Sequence, residues 1–184
     1  MEPFRKFLSP KTKFEWSDEL NVRFEESKRH IVEAIKNGVK IFDPSKQTAL
    51  HSDWSKTGIG FWLSQKHCDC PGKSPGCCED GWHIVLAGSR FLTNAEKNYA
   101  PVEGEALGVA WALEQTHYFT MGCDNLVVVV DHRPLVQLLG DKRLDEIHNP
   151  RLFRLKQRTL RWRFTVEYHP GRTNFCGNLQ QTNR

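Results

Sequence analysis

The sequence predicts an α/β domain built on a mixed five-stranded sheet flanked by helices, and three stretches carry that prediction. Residues 47–65 (QTALHSDWSKTGIGFWLSQ) alternate apolar and polar side chains around a tight turn at Ser55 to Gly58, the pattern of a hairpin. Residues 101–114 set Val102, Ala106, Val109, Ala110 and Leu113 at three- and four-residue steps, so one helical face enters a core. Residues 126–130 (LVVVV) form an unbroken, mostly β-branched run, as in a strand covered on both faces. A chain of 184 residues suffices for one domain with a full core and a modest extension.

Taken in order, residues 1–46 read as a lead-in. PFRKFLSP is short and bounded by proline, and Ser17 of FEWS can cap a helix over residues 18–37 in which Phe24, Lys28, Ile31 and Ile35 keep helical spacing. Gly38 stops that helix, and VKIFDPSK is extended with a turn at Asp43, Pro44 and Ser45. After the hairpin, WHIVLAGSRFL makes a third strand beyond a Cys-, Pro- and Gly-rich surface loop over residues 66–81. The helix from Pro101 and the strand at 126–130 follow. PLVQLLG then reads as a short helix closed by Gly140, NPRLFRLKQRTLRWR as a basic helix, and FTVEYHPG as a last strand. The order is β-β-β-α-β-α-α-β behind a helical lead-in.

Composition narrows the function classes. Apolar residues make up 39 % and charged residues 26 % of the chain, as in an ordinary globular domain. No apolar run approaches the roughly 20 residues of a membrane-spanning helix, so the sequence predicts neither membrane insertion nor a secretory leader. The net charge of +4 permits a nucleic-acid partner without requiring one. Six cysteines without a leader point to a reducing compartment.

Asp53 ends the first strand, Asp131 ends the LVVVV strand, and Glu105 sits in the first turns of the main helix. If the first and fourth strands are neighbours, their carboxyl ends bring the two aspartates together in the crevice where open α/β sheets bind ligands. Hard divalent cations take such oxygen ligands and leave positions for phosphate. Each acid also has a plainer explanation. Glu103 and Glu105 suit a helix N-terminus, Asp53 can cap the turn at Ser55, and Asp131 can cap the PLVQLLG helix.

FEWS at 14–17, SDWSKTGIGFWLSQ at 52–65, SRFLTNAEKNY at 89–99, EGEALGVAWAL at 103–113, VDHRPLVQLL at 130–139 and YHPGRTN at 168–174 resemble, in order, the motifs of the RNase H domain of reverse transcriptases from gypsy-type long-terminal-repeat retrotransposons. The resemblance implies an RNase H-like fold over residues 47–184, preceded at 1–46 by the segment that connects it to the polymerase thumb. It implies hydrolysis of the RNA strand of RNA–DNA hybrids with two Mg²⁺ or Mn²⁺ ions held by Asp53, Glu105 and Asp131. No Y-x-D-D-like polymerase turn occurs in these residues, so the chain reads as a fragment of a polyprotein, a degenerate genomic copy or a host-coded relic, and the resemblance implies the polymerase part of the same polyprotein as a partner.

One departure stands out. The family continues after its P-G-x-x-N turn with A-D-A-x-S-R, whose Asp is the fourth catalytic acid, whereas this chain has Asn178 within NFCGNLQQTNR. An amide oxygen can coordinate a cation but adds no negative charge. That substitution supports a second reading, a catalytically impaired relic that binds nucleic acid or a protein on the same scaffold.

Two further clusters bear on partners. Arg154, Arg158 and Arg161 project at i, i+4 and i+7 from the basic helix, with Arg151, Lys156 and Arg163 nearby, and would contact backbone phosphates. Within the loop, Cys68, Cys70, Cys77 and Cys78 supply enough thiols for Zn²⁺, but C-x-C and C-C lack the usual two-residue gaps, so the spacing argues for a plain exposed insertion, with a pair of disulfides as the alternative in an oxidising setting. Cys123 and Cys176 read as ordinary thiols, Trp54 as a core side chain, and His132, His148 and His169 as proton-transfer candidates by residue type alone.

Overall fold

A computed structural model describes residues 13–36, 40–72, 74–78 and 81–170. The chain divides into two units, Met1–Val39 and Lys40–Arg184. In the first, helix α1 spans Asp18–Lys36, and its start is capped by the Ser17 hydroxyl, which accepts the Leu20 N–H at 3.3 Å. Asp18 and Glu19 in its first turn complement the helix dipole. Phe24 and Ile31 are exposed, and Trp16 packs edge-on against Phe24. Gly38 lies outside the described residues.

The second unit holds a five-stranded sheet: β1 (Thr48–Trp54), β2 (Gly58–Lys66), β3 (Trp82–Phe91), β4 (Leu126–Val130) and β5 (Thr165–Tyr168). Strands run in the order β3-β2-β1-β4-β5, with the β3–β2 and β2–β1 pairs antiparallel and the β1–β4 and β4–β5 pairs parallel. The hairpin turn closes through the Ser55 N–H on the Gly58 carbonyl at 2.9 Å. Upstream, the Asp43–Ser45 turn is moored to the sheet by buried Gln65, whose side chain accepts the Asp43 N–H at 2.8 Å and donates to the Asp43 carbonyl at 2.7 Å. Every residue of β4 is buried, as its β-branched run requires.

Helix α2 (Pro101–Gln115) packs against β1, β2 and the later helices. Its apolar face is the expected one, with Ala106, Val109, Ala110 and Leu113 all in the core and Val102 at its edge. Burial extends further round the helix than that stripe, from Glu103 to Ala110 without a break. Two small residues permit this approach. A Cβ on Gly104 would collide with the Trp54 indole, reaching within 2.6 Å of Nε1, whereas a Cβ on Gly108 would meet Ser52 at an ordinary 3.7 Å. We therefore expect Gly104→Ala to cost about 1–3 kcal/mol by overpacking. Gly108→Ala is expected to be neutral or stabilising by up to ~1 kcal/mol through helix propensity. Urea denaturation of the two variants checks both.

Beyond α2 lie a single-turn helix α3 (His117–Thr120), the short helix α4 (Pro134–Leu139) ending before Gly140, and the basic helix α5 (Pro150–Thr159). Asn149 caps α5 by accepting the Arg151 and Leu152 N–H groups. The α5 helix is shorter than its sequence pattern predicts. It stops at Thr159, Leu160 caps it, and Trp162 turns inward to a buried position. Cys123 is half-buried against the core. Among the described residues, no helix is long and apolar enough to cross a membrane.

Candidate metal centre and nucleic-acid face

The parallel pairing of β1 and β4 runs from Thr48 opposite Leu126 to His51 opposite Val129. Two residues further along each strand come Asp53 and Asp131, so the register itself brings these carboxylates to one level at the carboxyl end of the sheet. Glu105 enters from the second turn of α2. One carboxylate oxygen from each of Asp53, Glu105 and Asp131 lies within 4.8 Å of the others, with Glu105 buried and the two aspartates half-buried. The three acids read from separate elements thus converge.

The electrostatics of the cluster follow from packing acids together away from water. Burial, reinforced by the charge of Asp131, pushes Asp53 up to about 6. Burial, then Asp131 and Asp53, pushes Glu105 up to about 9, and the Trp54 backbone N–H offsets only part of this for either group. A cluster that resists its own ionisation is one that a divalent cation relieves, and an all-oxygen donor set suits a hard ion. The residues present fit such a group.

Glu103, two residues from Glu105, does different work. It closes the α2 capping box on the Ala100 N–H at 3.1 Å, accepts from Asn149 at 2.9 Å and pairs with Arg151 at 2.6 Å. Burial raises its carboxyl, but these donors outweigh burial and hold it below the ordinary range. Arg151 also stacks over the Tyr99 ring at 4.1 Å. Glu103 therefore joins α2 to α5 and stays out of the acid cluster.

The basic helix is less free than its charge count suggests. Arg158 is held by Glu114 of α2 in a two-pronged pair at 2.7 and 2.8 Å, and Arg151 is held by Glu103. Lys156 is buried, with its ammonium on the carbonyls of Gly140 (3.0 Å) and Lys142. Burial lowers its pKa. Arg161 falls in the turn beyond α5, so the single helical face of Arg154, Arg158 and Arg161 is broken at its third member. Arg154 remains exposed beside Tyr99, Glu96 and Arg158 in a surface groove. Among the histidines, His148 is exposed, His132 is half-buried beside Asp131, and His169 lies 3.4 Å from Glu167. Asn178 and Cys176 lie outside the described residues.

The loop cysteines, which their spacing reads as part of a plain exposed insertion, come together. The Sγ atoms of Cys68, Cys70, Cys77 and Cys78 all lie within 4.8 Å of one another, and no motif spacing signals it.

Comparison with known proteins shows the family and the fold. The family model described as the RNase H-like domain found in reverse transcriptase matches residues 43–166. The chain is 30 % identical over 169 residues to the retrovirus-related Pol polyprotein from transposon gypsy of Drosophila melanogaster, a match covering 88 % of this chain and 14 % of that polyprotein. It is 34 % identical over 130 residues to the polyprotein from transposon opus of the same organism, covering 71 % of the chain and 12 % of the relative. The Tf2-3 polyprotein of Schizosaccharomyces pombe is 26 % identical over 173 residues, covering 94 % of the chain and 12 % of the relative. Among solved structures, the foamy viral protease-reverse transcriptase in complex with dsDNA superposes with a TM-score of 0.57 at 17 % identity, over 91 % of this chain and 33 % of that one. The same enzyme in complex with an RNA/DNA hybrid gives 0.53 at 15 % identity, over 90 % and 21 %. These likenesses concern the fold.

Proposed function

Since this chain belongs to the family of RNase H-like domains found in reverse transcriptases, as part of a long-terminal-repeat retrotransposon Pol polyprotein, we propose that it hydrolyses the RNA strand of RNA–DNA hybrids with divalent cations. The observation that carries the proposal is the convergence of Asp53, Glu105 and Asp131 at the carboxyl ends of adjacent parallel strands. Mg²⁺ or Mn²⁺ held there by these three acids would supply Lewis-acid activation of water and charge neutralisation at the scissile phosphate.

The chain's own residues would do the rest. Asp53 and Asp131, carried on backbone-paired strands, fix the spacing of the ligands. Glu105 closes the cluster from a helix whose own position is locked by Gly104 against Trp54. Arg154 is an exposed basic residue of α5 that would be offered to backbone phosphates, and Arg161 would add charge beyond the helix end. Arg158 would contribute to phosphate binding only by exchanging Glu114 for the substrate. Hybrid recognition would draw on the shallow minor groove and 2′-hydroxyls of the RNA strand. Residues 1–46 would be the segment joining this domain to the polymerase thumb, with the polymerase of the same polyprotein as its covalent partner.

The test is cleavage of an end-labelled RNA–DNA hybrid by the full chain in Mg²⁺, with Asn178→Asp beside it. We expect slow cleavage from the unmodified chain, raised at least tenfold by Asn178→Asp, equivalent to about 1.4 kcal/mol of barrier. Hybrid binding without cleavage from either protein, at any Mg²⁺ or Mn²⁺ concentration, would replace the nuclease reading by that of a binding module.

A further inference from the structure

We infer that Cys68, Cys70, Cys77 and Cys78 form a structural Zn²⁺ site that staples the loop between β2 and β3. Zinc in an all-thiolate site sits about 2.3 Å from each sulfur, which places tetrahedral sulfurs about 3.8 Å apart. Here all four Sγ atoms lie within 4.8 Å of one another, and Cys68 and Cys77 are 3.4 Å apart. An ion therefore fits with shifts of well under an ångström. Four protein ligands leave no open position, so the site is of the closed, structural kind.

The backbone is arranged for this gathering. Gly76 takes up φ +81°, the left-handed region that glycine tolerates, immediately before the Cys77–Cys78 pair whose sulfurs gather with those of Cys68 and Cys70. The Cys77 N–H on the Ser74 carbonyl at 3.2 Å closes a turn there, and the His67 N–H on the Gly81 carbonyl at 2.8 Å closes the neck of the loop. Gly81 lies directly under the sulfurs, where a Cβ would stand 2.6 Å from Cys68 Sγ and press on Cys78 Sγ. This gathering does what two-residue gaps do in ordinary zinc knuckles, which is why the spacing alone argued against a metal.

Charge and purpose are consistent with it. Binding Zn²⁺ through four thiols releases four protons and leaves the centre with a net charge of −2, and the Lys66 ammonium sits at the same place on the carbonyls of Cys70 and Gly72. The loop also reaches the far side of the sheet, where the Ser74 hydroxyl donates to Glu167 of β5 at 2.9 Å. A segment with so little apolar content has no core of its own to hold it there, and metal binding would supply that ordering. Thiolate donors select zinc, whereas the carboxylates of Asp53, Glu105 and Asp131 select harder ions, so the two sites load independently.

The test is titration of the reduced, metal-stripped full chain with Co²⁺, a spectroscopic stand-in for Zn²⁺. The expected result is one equivalent giving thiolate-to-cobalt charge transfer in the near ultraviolet with intense tetrahedral ligand-field bands, displaced by Zn²⁺ and unchanged in Asp53→Asn. The Cys70→Ser/Cys77→Ser pair should lose those bands. On the unmodified chain, Zn²⁺ should lower the number of rapidly reacting thiols by four of the six cysteines, a readout that does not depend on any variant folding. Weak six-coordinate cobalt bands with no thiolate charge transfer, an unchanged thiol count with Zn²⁺, or recovery of the four cysteines as two disulfides from reducing buffer would each overturn the assignment.

Discussion

Asp53→Asn is expected to lower hybrid cleavage by at least a thousandfold, about 4 kcal/mol of barrier, while leaving hybrid affinity within a few-fold of the parent chain. Asp53 is the central acid by position, because it belongs to the strand that pairs with both β2 and β4 and its carboxylate lies within ligand distance of both Glu105 and Asp131. Removing its charge would weaken the hold of the cluster on any cation bound there, whereas the phosphate contacts proposed for Arg154 and Arg161 would lie outside the cluster. Single-turnover cleavage of a labelled hybrid, beside a filter-binding isotherm, separates the two effects. Retained cleavage in Asp53→Asn would place the chemistry away from this cluster.

The second large effect is on stability. In metal-free protein the acid cluster is expected to destabilise the fold progressively as pH rises. Asp53 and Glu105 have folded pKa values raised to about 6 and about 9, above those of the unfolded chain, so the folded state holds protons that the unfolded state has released. No penalty applies below pH ~4, where both states are protonated. The penalty grows through pH 6 and is complete above about 9. Glu96 runs the opposite way, held down to about 2 by the Arg90 guanidinium, so its contribution is lost on acidification between the ordinary glutamate range and that value. Glu105→Gln should therefore stabilise the metal-free chain at pH 8 by on the order of 2 kcal/mol, a rise in Tm of roughly 4–8 °C for a chain of this size. Mg²⁺ should raise the Tm of the parent more at pH 8 than at pH 5.5, and EDTA should reverse it. Calorimetry at both pH values checks the sign; a Glu105→Gln chain that melts below its parent at pH 8 without metal would contradict it.

What could be read in advance divides by range. The strands and the main helix announce themselves locally, since LVVVV, the alternating hairpin and the steps from Val102 to Leu113 each reflect a neighbour that every strand or helix of that kind must have, whereas the convergence of the three acids rests on the long-range pairing of β1 with β4. What escaped depends on a partner that local sequence does not name. Arg158 looked free because Glu114 lies 44 residues away, on another helix. Lys156 looked like surface charge because the carbonyls it binds belong to the loop after α4. The helical spacing of LRWR extends past the end of α5 at Thr159, because Trp162 is drawn inward by the core. Glu103 and Glu105 looked alike in sequence, and only the docking of Asn149 and Arg151 onto one of them separates a capping residue from a candidate ligand.

The central position of β1 has a consequence for how the protein comes into being. On one side β1 pairs with β2, its immediate successor in the chain, through a four-residue turn; on the other it pairs with β4, some 78 residues downstream. The first contact closes quickly, and the second must close a long loop before anything rewards it. Asp53 is therefore positioned early and Asp131 late, against mutual repulsion that local hairpin formation does nothing to relieve. In a chain emerging from the ribosome, the hairpin can exist before the residues of β4 have been made, but the acid cluster cannot. Refolding monitored near Trp54 should accordingly show a slow phase that Mg²⁺ accelerates only if the parallel pairing of β1 and β4 is already formed at the barrier.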